Sequence, residues 1–177
     1  MTTGAPNHLA ARQVVATNSS FNALADNNLA VYYGHAQATS NPDLSALCNT
    51  SDVDVVVIGF VRGFDAVDSL PTFDFESSCS STTKVMTNSS SLCPVLAQNI
   101  SNCQTLGKKV LVSVGGSSSN AIFSTPAQAT AAAQTLWDIF GAGTNATTIR
   151  PFGSSVVVDG FDFGTLPLPF RVARVTC

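Results

Sequence analysis

Four short apolar runs along the chain predict buried β-strands. They cover residues 28–34, 51–61, 108–116 and 154–163. Each run is apolar almost throughout instead of alternating with polar residues, which is typical of strands covered on both faces of a parallel sheet. Residues 62–92 carry Gly, Pro and Ser clusters instead, and this composition predicts a long excursion between the second and third strands.

One segment with helical signals precedes the third strand, at residues 93–107. Pro94 suits a first helical turn, and Gly107 can end the helix. Leu96, Ile100 and Cys103 fall on one face at helical spacing. This face is predicted to pack against the sheet.

A second helix is predicted between the third and fourth strands. Thr125 can cap it, Pro126 suits its first turn and Gly141 can end it. Its apolar face is predicted to consist of Ala129, Ala132, Ala133, Leu136, Trp137 and Phe140. Trp137 is therefore expected in the core.

Strands that alternate with helical crossovers imply an α/β fold with a parallel sheet. The pattern alone does not decide between a closed barrel and an open sheet, because both are built from βα units. No Gly-X-Gly-X-X-Gly follows the first strand, and "SVGGSSSN" lacks the Gly-Lys-Ser/Thr of a phosphate-binding loop. A nucleotide-binding sheet is therefore not predicted.

Composition narrows the functional classes. The net charge of −3 and the pI of about 5.0 argue against a nucleic-acid partner. No run approaches 18 apolar residues, so no membrane span is predicted. Residues 1–27 are polar and without periodicity, which predicts a flexible leader, and they lack the apolar region of a signal peptide.

Cysteines and glycosylation sequons indicate an oxidising, extracellular setting. None of the five cysteines has Cys-X2-Cys spacing, and the chain has only two histidines, so neither a metal nor another cofactor is expected. Asn-X-Ser/Thr sequons occur at Asn18, Asn49, Asn88, Asn99 and Asn145. We expect a secreted protein with disulfides and glycans, whose native signal sequence is absent from this chain.

Two motifs on consecutive predicted strands suggest a family. The third strand ends in Ser-Val-Gly-Gly at 113–116, and the fourth carries Asp159 and Asp162. With "NLAVYYG", "VDVVVIGFV" and "LWDIFGAG" in the same order, most of residues 28–163 resembles family 18 glycoside hydrolases, of the plant-type (class III) and fungal endochitinase kind. That family carries Ser-X-Gly-Gly on its third strand and Asp-X-X-Asp-X-Asp-X-Glu on its fourth.

The resemblance implies a (β/α)8 TIM barrel, of which this chain would cover about the first four βα units. It also implies retaining hydrolysis of the β-1,4 N-acetylglucosamine linkages of chitin by a monomeric enzyme, with the substrate's own N-acetyl carbonyl as nucleophile. A non-catalytic sugar-binding relative and an endo-β-N-acetylglucosaminidase are the alternatives within the fold. An unrelated parallel-sheet domain is the alternative outside it.

Residue roles follow from the same resemblance. Tyr32, Gly115 and Gly116 would line the substrate site, while Asp159 and Asp162 would be the supporting acids. The family's four-cysteine pattern implies the disulfides Cys48–Cys103 and Cys79–Cys93.

The fourth-strand motif of the family is matched in its first two acidic residues but not in its last two, which are the catalytic ones. Gly164 and Leu166 occupy the positions where the family has its catalytic Asp and its proton-donating Glu. Neither side chain can carry charge or donate a proton, so we expect this chain to be inactive. Residues 164–177, with Pro167 and Pro169, are interpreted as an aberrant tail translated through an intron.

Overall fold

Five β-strands and three α-helices make up the part of the chain that the computed structural model describes. This part comprises residues 20–34, 43–65, 70–75, 79, 92–117, 119–145 and 148–164. The strands are β1 Ala30–Tyr33, β2 Val55–Phe64, β3 Pro71–Phe73, β4 Lys109–Gly115 and β5 Gly160–Gly164. The helices are α1 Leu44–Cys48, α2 Pro94–Thr105 and α3 Pro126–Phe140.

The sheet is parallel along its main path, as the apolar runs predict. Its strand order is β1-β2-β4-β5, and β3 pairs with β2 in the antiparallel sense. Tyr32 lies opposite Val57, Val57 opposite Leu111, and Leu111 opposite Gly160. Helices precede β2, β4 and β5 along the chain, so each link between neighbouring parallel strands contains a helical crossover.

The core lies between one face of the sheet and the helices. Val56, Ile58, Val110 and Val112 supply the sheet side of this core, and Leu44, Leu96, Ile100, Leu136 and Ile139 supply the helix side. The predicted face of α2 is confirmed, because Leu96, Ile100 and Cys103 are all fully buried. Gly107, at φ 78°, ends the helix in a left-handed conformation that suits glycine.

The start of α3 also agrees with the prediction. The Thr125 side chain accepts a hydrogen bond from the Gln128 amide, and the Gln128 side chain accepts one from the Thr125 amide. This reciprocal arrangement is a capping box. At the other end, the Arg150 guanidinium donates to the carbonyls of Asp138, Gly141 and Val156, and so ties the end of α3 to the segment before β5.

The predicted apolar face of α3 is wrong in part. Trp137 is 48% exposed, and Ala129 and Ala133 are also exposed. Ile139, which the prediction left out, is 1% exposed and occupies the core instead. The buried stripe is therefore rotated around the helix from the position that the large Trp side chain suggests.

The predicted excursion at residues 62–92 contains a strand. β2 continues to Phe64 and pairs with β3, with Phe64 opposite Pro71. Residues 71–75 alternate between buried and half-buried, and Phe73 and Phe75 are each 1% exposed. Pro71 is the first residue of the strand, a position where the missing N–H is tolerated.

The predicted fourth strand starts too early, because pairing begins only at Gly160. Val156 and Val158 are buried, but the Val158 amide donates to the carbonyl of Phe140 at the end of α3. The apolar spacing of this segment therefore reflects contact with the core rather than strand pairing. Most of the predicted tail, residues 165–177, lies outside the described residues, as do residues 1–19 of the predicted leader.

Both disulfides that the resemblance implies are present. Cys48–Cys103 joins the end of α1 to α2, with a sequence separation of 55 residues. Cys79–Cys93 lies within that loop, with a sequence separation of 14 residues. The buried Cys48–Cys103 bridge fixes α1 and α2 against each other.

Candidate active site

Three polar side chains from three strands meet on the face of the sheet that is turned away from the helices. Tyr32 lies on β1, Ser113 on β4 and Asp162 on β5. Val110 and Val112 point into the helix-side core, so the alternation of a strand directs Ser113 to the opposite face. Asp162 lies directly opposite Ser113 in the parallel register and points the same way.

These residues form a hydrogen-bonded cluster, which we call the Asp162 cluster. The Tyr32 hydroxyl donates to Asp162 Oδ2 at 2.8 Å, and the Ser113 hydroxyl donates to the same oxygen at 2.7 Å. Ser113 is fully buried, and its hydroxyl is therefore satisfied within the protein. Two hydroxyl donors on one oxygen fix the orientation of the carboxylate.

The cluster requires a curved sheet. β1 and β5 are separated by two intervening strands, which in a flat sheet would place them about 14 Å apart with parallel side chains. The 2.8 Å contact between Tyr32 and Asp162 forms only if the sheet is concave on this side. A concave parallel sheet with helices outside is the geometry of a barrel wall.

Tyr32 combines a fixed hydroxyl with an accessible ring. The hydrogen bond to Asp162 raises the pKa of the Tyr32 hydroxyl above its ordinary value, and partial burial and the negative charge of Asp162 act in the same direction. The Tyr32 ring stacks on that of Phe60 at a centroid distance of 5.8 Å and is 61% exposed. A ring held in this way offers a face on which an apolar face of a ligand can stack.

The two glycines of the third-strand motif make close contacts within the chain. Gly115 has φ 124°, and a Cβ there would lie 2.1 Å from the carbonyl oxygen of Gly164. A Cβ on Gly116 would lie 3.2 Å from the ring of Phe60. The structure therefore gives Gly115 a role in the approach of β4 to β5, besides the substrate contact that the resemblance implies.

Position 164 has room for a side chain. A Cβ on Gly164 would lie 3.6 Å from the Gly116 amide nitrogen and 3.8 Å from Ser113 Oγ, which are ordinary van der Waals distances. The side chain would thus project beside the Asp162 cluster. Leu166, the other substituted position, lies outside the described residues.

Asp159 lies apart from this cluster, near the start of β4. It accepts hydrogen bonds from Lys109 Nζ at 2.7 Å, Gln104 Nε2 at 2.9 Å and the Val110 amide at 3.0 Å. Burial raises the pKa of Asp159, but the bonds from these three groups and the charge of Lys109 outweigh it and hold the pKa below its ordinary value. Asp159 therefore joins α2, β4 and the start of β5.

Ser113 and Phe60 are the members of this region that the sequence analysis did not single out. Ser113 is the first residue of the matched Ser-X-Gly-Gly motif, so a signal for it was present. Phe60 had none, because it lies within a continuous apolar run. Within the described ranges, no group of three His, Cys, Asp or Glu residues could hold a metal ion.

Curated relatives of the chain are fungal chitinases. The chain is 42% identical over 143 residues to an endochitinase of Saccharomyces cerevisiae, which covers 81% of this chain and 24% of that protein. It is 40% identical over 156 residues to endochitinase A of Emericella nidulans, covering 82% and 16%. Chitinase 3 of Candida albicans is 38% identical over 143 residues, covering 80% and 24%. The chain thus spans a quarter or less of these relatives' length.

Solved structures give the same result for the fold. A chitinase from Ipomoea carnea superposes with a TM-score of 0.60 and 31% identity, covering 76% of this chain and 44% of that one. A xylanase-α-amylase inhibitor protein, solved with trehalose, superposes with a TM-score of 0.61 and 29% identity, covering 78% and 45%. No family model matches the chain.

The curved parallel sheet, its polar cluster and these relatives define a glycoside hydrolase fold of the TIM-barrel class. The chain belongs to the chitinases of glycoside hydrolase family 18, and it corresponds to about the first four βα units of their barrel.

Proposed function

We propose that this chain is part of an endochitinase-type protein that acts on β-1,4 linkages of N-acetylglucosamine polymers. The observation that carries the proposal is the Asp162 cluster, which lies on the concave face at the position of a supporting acid in the family motif. The Ser-X-Gly-Gly motif stands opposite it in the register, with Gly115 paired to Gly164.

Glycoside cleavage needs a proton donor at the leaving oxygen and stabilisation of an oxocarbenium-like centre. In the proposed mechanism, a Glu at position 166 donates the proton and the substrate's acetamido oxygen attacks the anomeric carbon. An Asp at position 164 orients the acetamido group. Asp162 lies next to position 164, so its charge would raise the pKa of that second carboxylate. Tyr32 and Ser113 hold Asp162 in the required orientation.

This chain lacks both reacting groups, and we propose that it is inactive as it stands. Gly164 has no side chain to orient the acetamido group, and Leu166 cannot donate a proton. The supporting part of the site, from Tyr32 to Asp162, is retained. The residues proposed to recognise the substrate thus precede Gly164, and the positions of the two missing reacting groups begin there.

A pair of chimeras tests this proposal. Residues 28–163 of this chain replace the corresponding part of the Saccharomyces cerevisiae endochitinase, and the remaining barrel comes from that enzyme. One chimera has Asp and Glu at positions 164 and 166, and its matched control keeps Gly164 and Leu166. We expect hydrolysis of chitin oligomers by the first only. Turnover by the control, or a folded first chimera without turnover, would refute the proposal.

A non-catalytic binding protein is the second candidate. It is favoured by the likeness to the xylanase-α-amylase inhibitor protein, which covers as much of this chain as the chitinase structure does. Calorimetric titration with chitin oligomers, together with inhibition assays on a xylanase and an α-amylase, distinguishes the candidates. Inhibition of either enzyme by a chain that does not bind chitin oligomers would favour the second.

We further propose that residues 164–177 are translated from an intron. An Asp codon begins with G, and an intron that starts with GT directly after that G would read as a Gly codon, as found at Gly164. Pro167 and Pro169 suit neither a central strand nor the turn expected there. Transcript sequencing across these codons tests this, and an abundant message that encodes Gly164 through Cys177 would contradict it.

The two disulfides are best explained if the protein is secreted into an oxidising compartment. Both disulfides are buried, and structural disulfides persist in oxidising compartments. None of the helices in the described ranges is long and apolar enough to cross a membrane. We propose that the protein is secreted, acts as a monomer and meets chitin outside the cell.

A further inference from the structure

Two glycosylation sequons of identical type occur in well-described parts of the fold. Asn49-Thr50-Ser51 follows α1, and Asn99-Ile100-Ser101 lies inside α2. Both motifs end in Ser, and they differ in their middle residue, Thr50 or Ile100, and in their structural context. We propose that Asn49 carries an N-linked glycan and that Asn99 does not.

The modification transfers a preassembled oligosaccharide from a lipid diphosphate donor. Asn Nδ2 releases one proton to solvent and bonds to the anomeric carbon of an N-acetylglucosamine, and the lipid diphosphate leaves as an anion with the electron pair of the broken C–O bond. The asparagine amide keeps its second hydrogen. A folded structure accepts the glycan if the space beyond Nδ2 is open and that remaining N–H can keep a partner.

Asn49 meets both conditions. It is the exposed C-cap residue of α1, and its Nδ2 donates to the carbonyl oxygen of Ser45 at 2.8 Å. That bond needs only one of the two amide hydrogens, so it survives the addition of a sugar. Thr50 beside it is exposed too, and its hydroxyl donates back to the Leu47 carbonyl. The glycan would extend from a turn into solvent.

Asn99 does not meet the first condition. It is half-buried inside α2, and its Nδ2 lies 3.5 Å from Asp43 Oδ1 at the start of α1. Its neighbour Ile100 is fully buried. A sugar on this nitrogen would enter the contact between α1 and α2, which the Cys48–Cys103 disulfide holds closed.

The Asn49 glycan would also leave the concave face open. Asn49 lies between α1 and β2, on the side of the sheet from which the parallel strands start. Tyr32, Ser113 and Asp162 lie further along their strands, on the concave face of the sheet. Glycosylation at Asn49 is therefore compatible with sugar binding there.

The test uses the full 177-residue chain, secreted from a glycosylating host through a supplied signal sequence. Enzymatic deglycosylation in heavy-oxygen water converts each glycosylated Asn to a labelled Asp, which peptide mass spectrometry locates. We expect the label at Asn49 and none at Asn99. The matched variants Ser51→Ala and Ser101→Ala should lose one glycan and no glycan, respectively.

An unlabelled Asn49 in the secreted chain, or labelling of Asn99 to the same extent, would overturn the inference. The inference rests on the proposed secretion, but the supplied signal removes any dependence on the native route. The measurement does not involve chitin, so its failure is distinct from a failure of the proposed enzymatic function.

Discussion

Gly115 and Gly164 face each other in the register of β4 and β5, yet the structure predicts opposite responses to the same substitution. Replacing Gly115 with Ala places a methyl group 2.1 Å from the Gly164 carbonyl oxygen. Replacing Gly164 with Ala places one at least 3.6 Å from its nearest neighbour. The pair therefore compares a strained and crowded position with an open one at the same register position of the sheet.

The expected loss in the free energy of unfolding for Gly115→Ala has two sources. The residue has φ 124°, and a non-glycine residue in such a region costs roughly 1–3 kcal/mol. The clash then forces the two strands apart and weakens their last backbone hydrogen bonds, each worth about 1 kcal/mol. We expect a loss of about 2–4 kcal/mol in the free energy of unfolding.

We expect Gly164→Ala to lower the free energy of unfolding by no more than about 0.5 kcal/mol. It can also raise that free energy by about 0.4–1 kcal/mol, because alanine restricts the unfolded chain. Urea unfolding followed by fluorescence of the single Trp reports both variants. Equal losses at the two positions would refute the reasoning, as would a loss above about 2 kcal/mol at Gly164, since position 164 could then not accept the family's Asp.

Three further predictions concern the disulfides and the two aspartates. Replacing both cysteines of Cys48–Cys103 with Ala should lower the free energy of unfolding in urea by about 4 kcal/mol, and the same change at Cys79–Cys93 should lower it by about 3 kcal/mol. The first loss is larger because that disulfide closes a loop of 55 residues and the second a loop of 14. A larger loss for Cys79–Cys93 would contradict this prediction. Asp162→Asn should lower the pKa of Tyr32, because it weakens the hydrogen bond from Tyr32 and removes the negative charge, both of which raise that pKa. Alkaline absorbance titration in a Tyr33→Phe background leaves Tyr32 as the one titrating tyrosine, and an unchanged midpoint would contradict the prediction. The pKa of Asp159 is depressed by folding, so its stabilising contribution is present above the ordinary Asp value of about 3.9 and is lost as the pH falls through the lower folded value. Asp159→Asn should therefore flatten the decline of stability below about pH 4, and an unaltered acid limb would count against the assigned bonds.

The elements that the sequence predicted well are those whose signals are local. Thr125, Pro126 and Gly141 bound α3 through capping and backbone chemistry, and the structure places all three as predicted. Trp137 was wrongly predicted in the core, because helical periodicity shows which residues share a face of the helix but not which face packs against the sheet. β3 was missed because turn-forming residues nearby masked the alternation of Phe73 and Phe75.

The sequence motifs predicted which residues belong to the site, but not the contacts between them. The family resemblance singled out Asp162 and Tyr32, but their hydrogen bond spans 130 residues and depends on the curvature of the sheet. No periodicity in the sequence encodes that curvature. Asp159 shows the opposite case, in which the motif suggests a proximity that the structure does not have. The motif groups Asp159 with Asp162, but three residues along an extended chain separate them by about 10 Å.

The Asp162 cluster is complete without positions 164 and 166. Its donors come from β1 and β4, and both reach Oδ2 of a residue that precedes the break in the motif. The ring of Tyr32 stacks on Phe60 of β2, which also precedes the break in the motif. The arrangement of Tyr32, Ser113 and Asp162 therefore does not require the acid that we propose is missing, because these groups are satisfied by one another. A chitinase and an inhibitor protein both superpose on this chain, so the fold alone does not decide which activity a protein has.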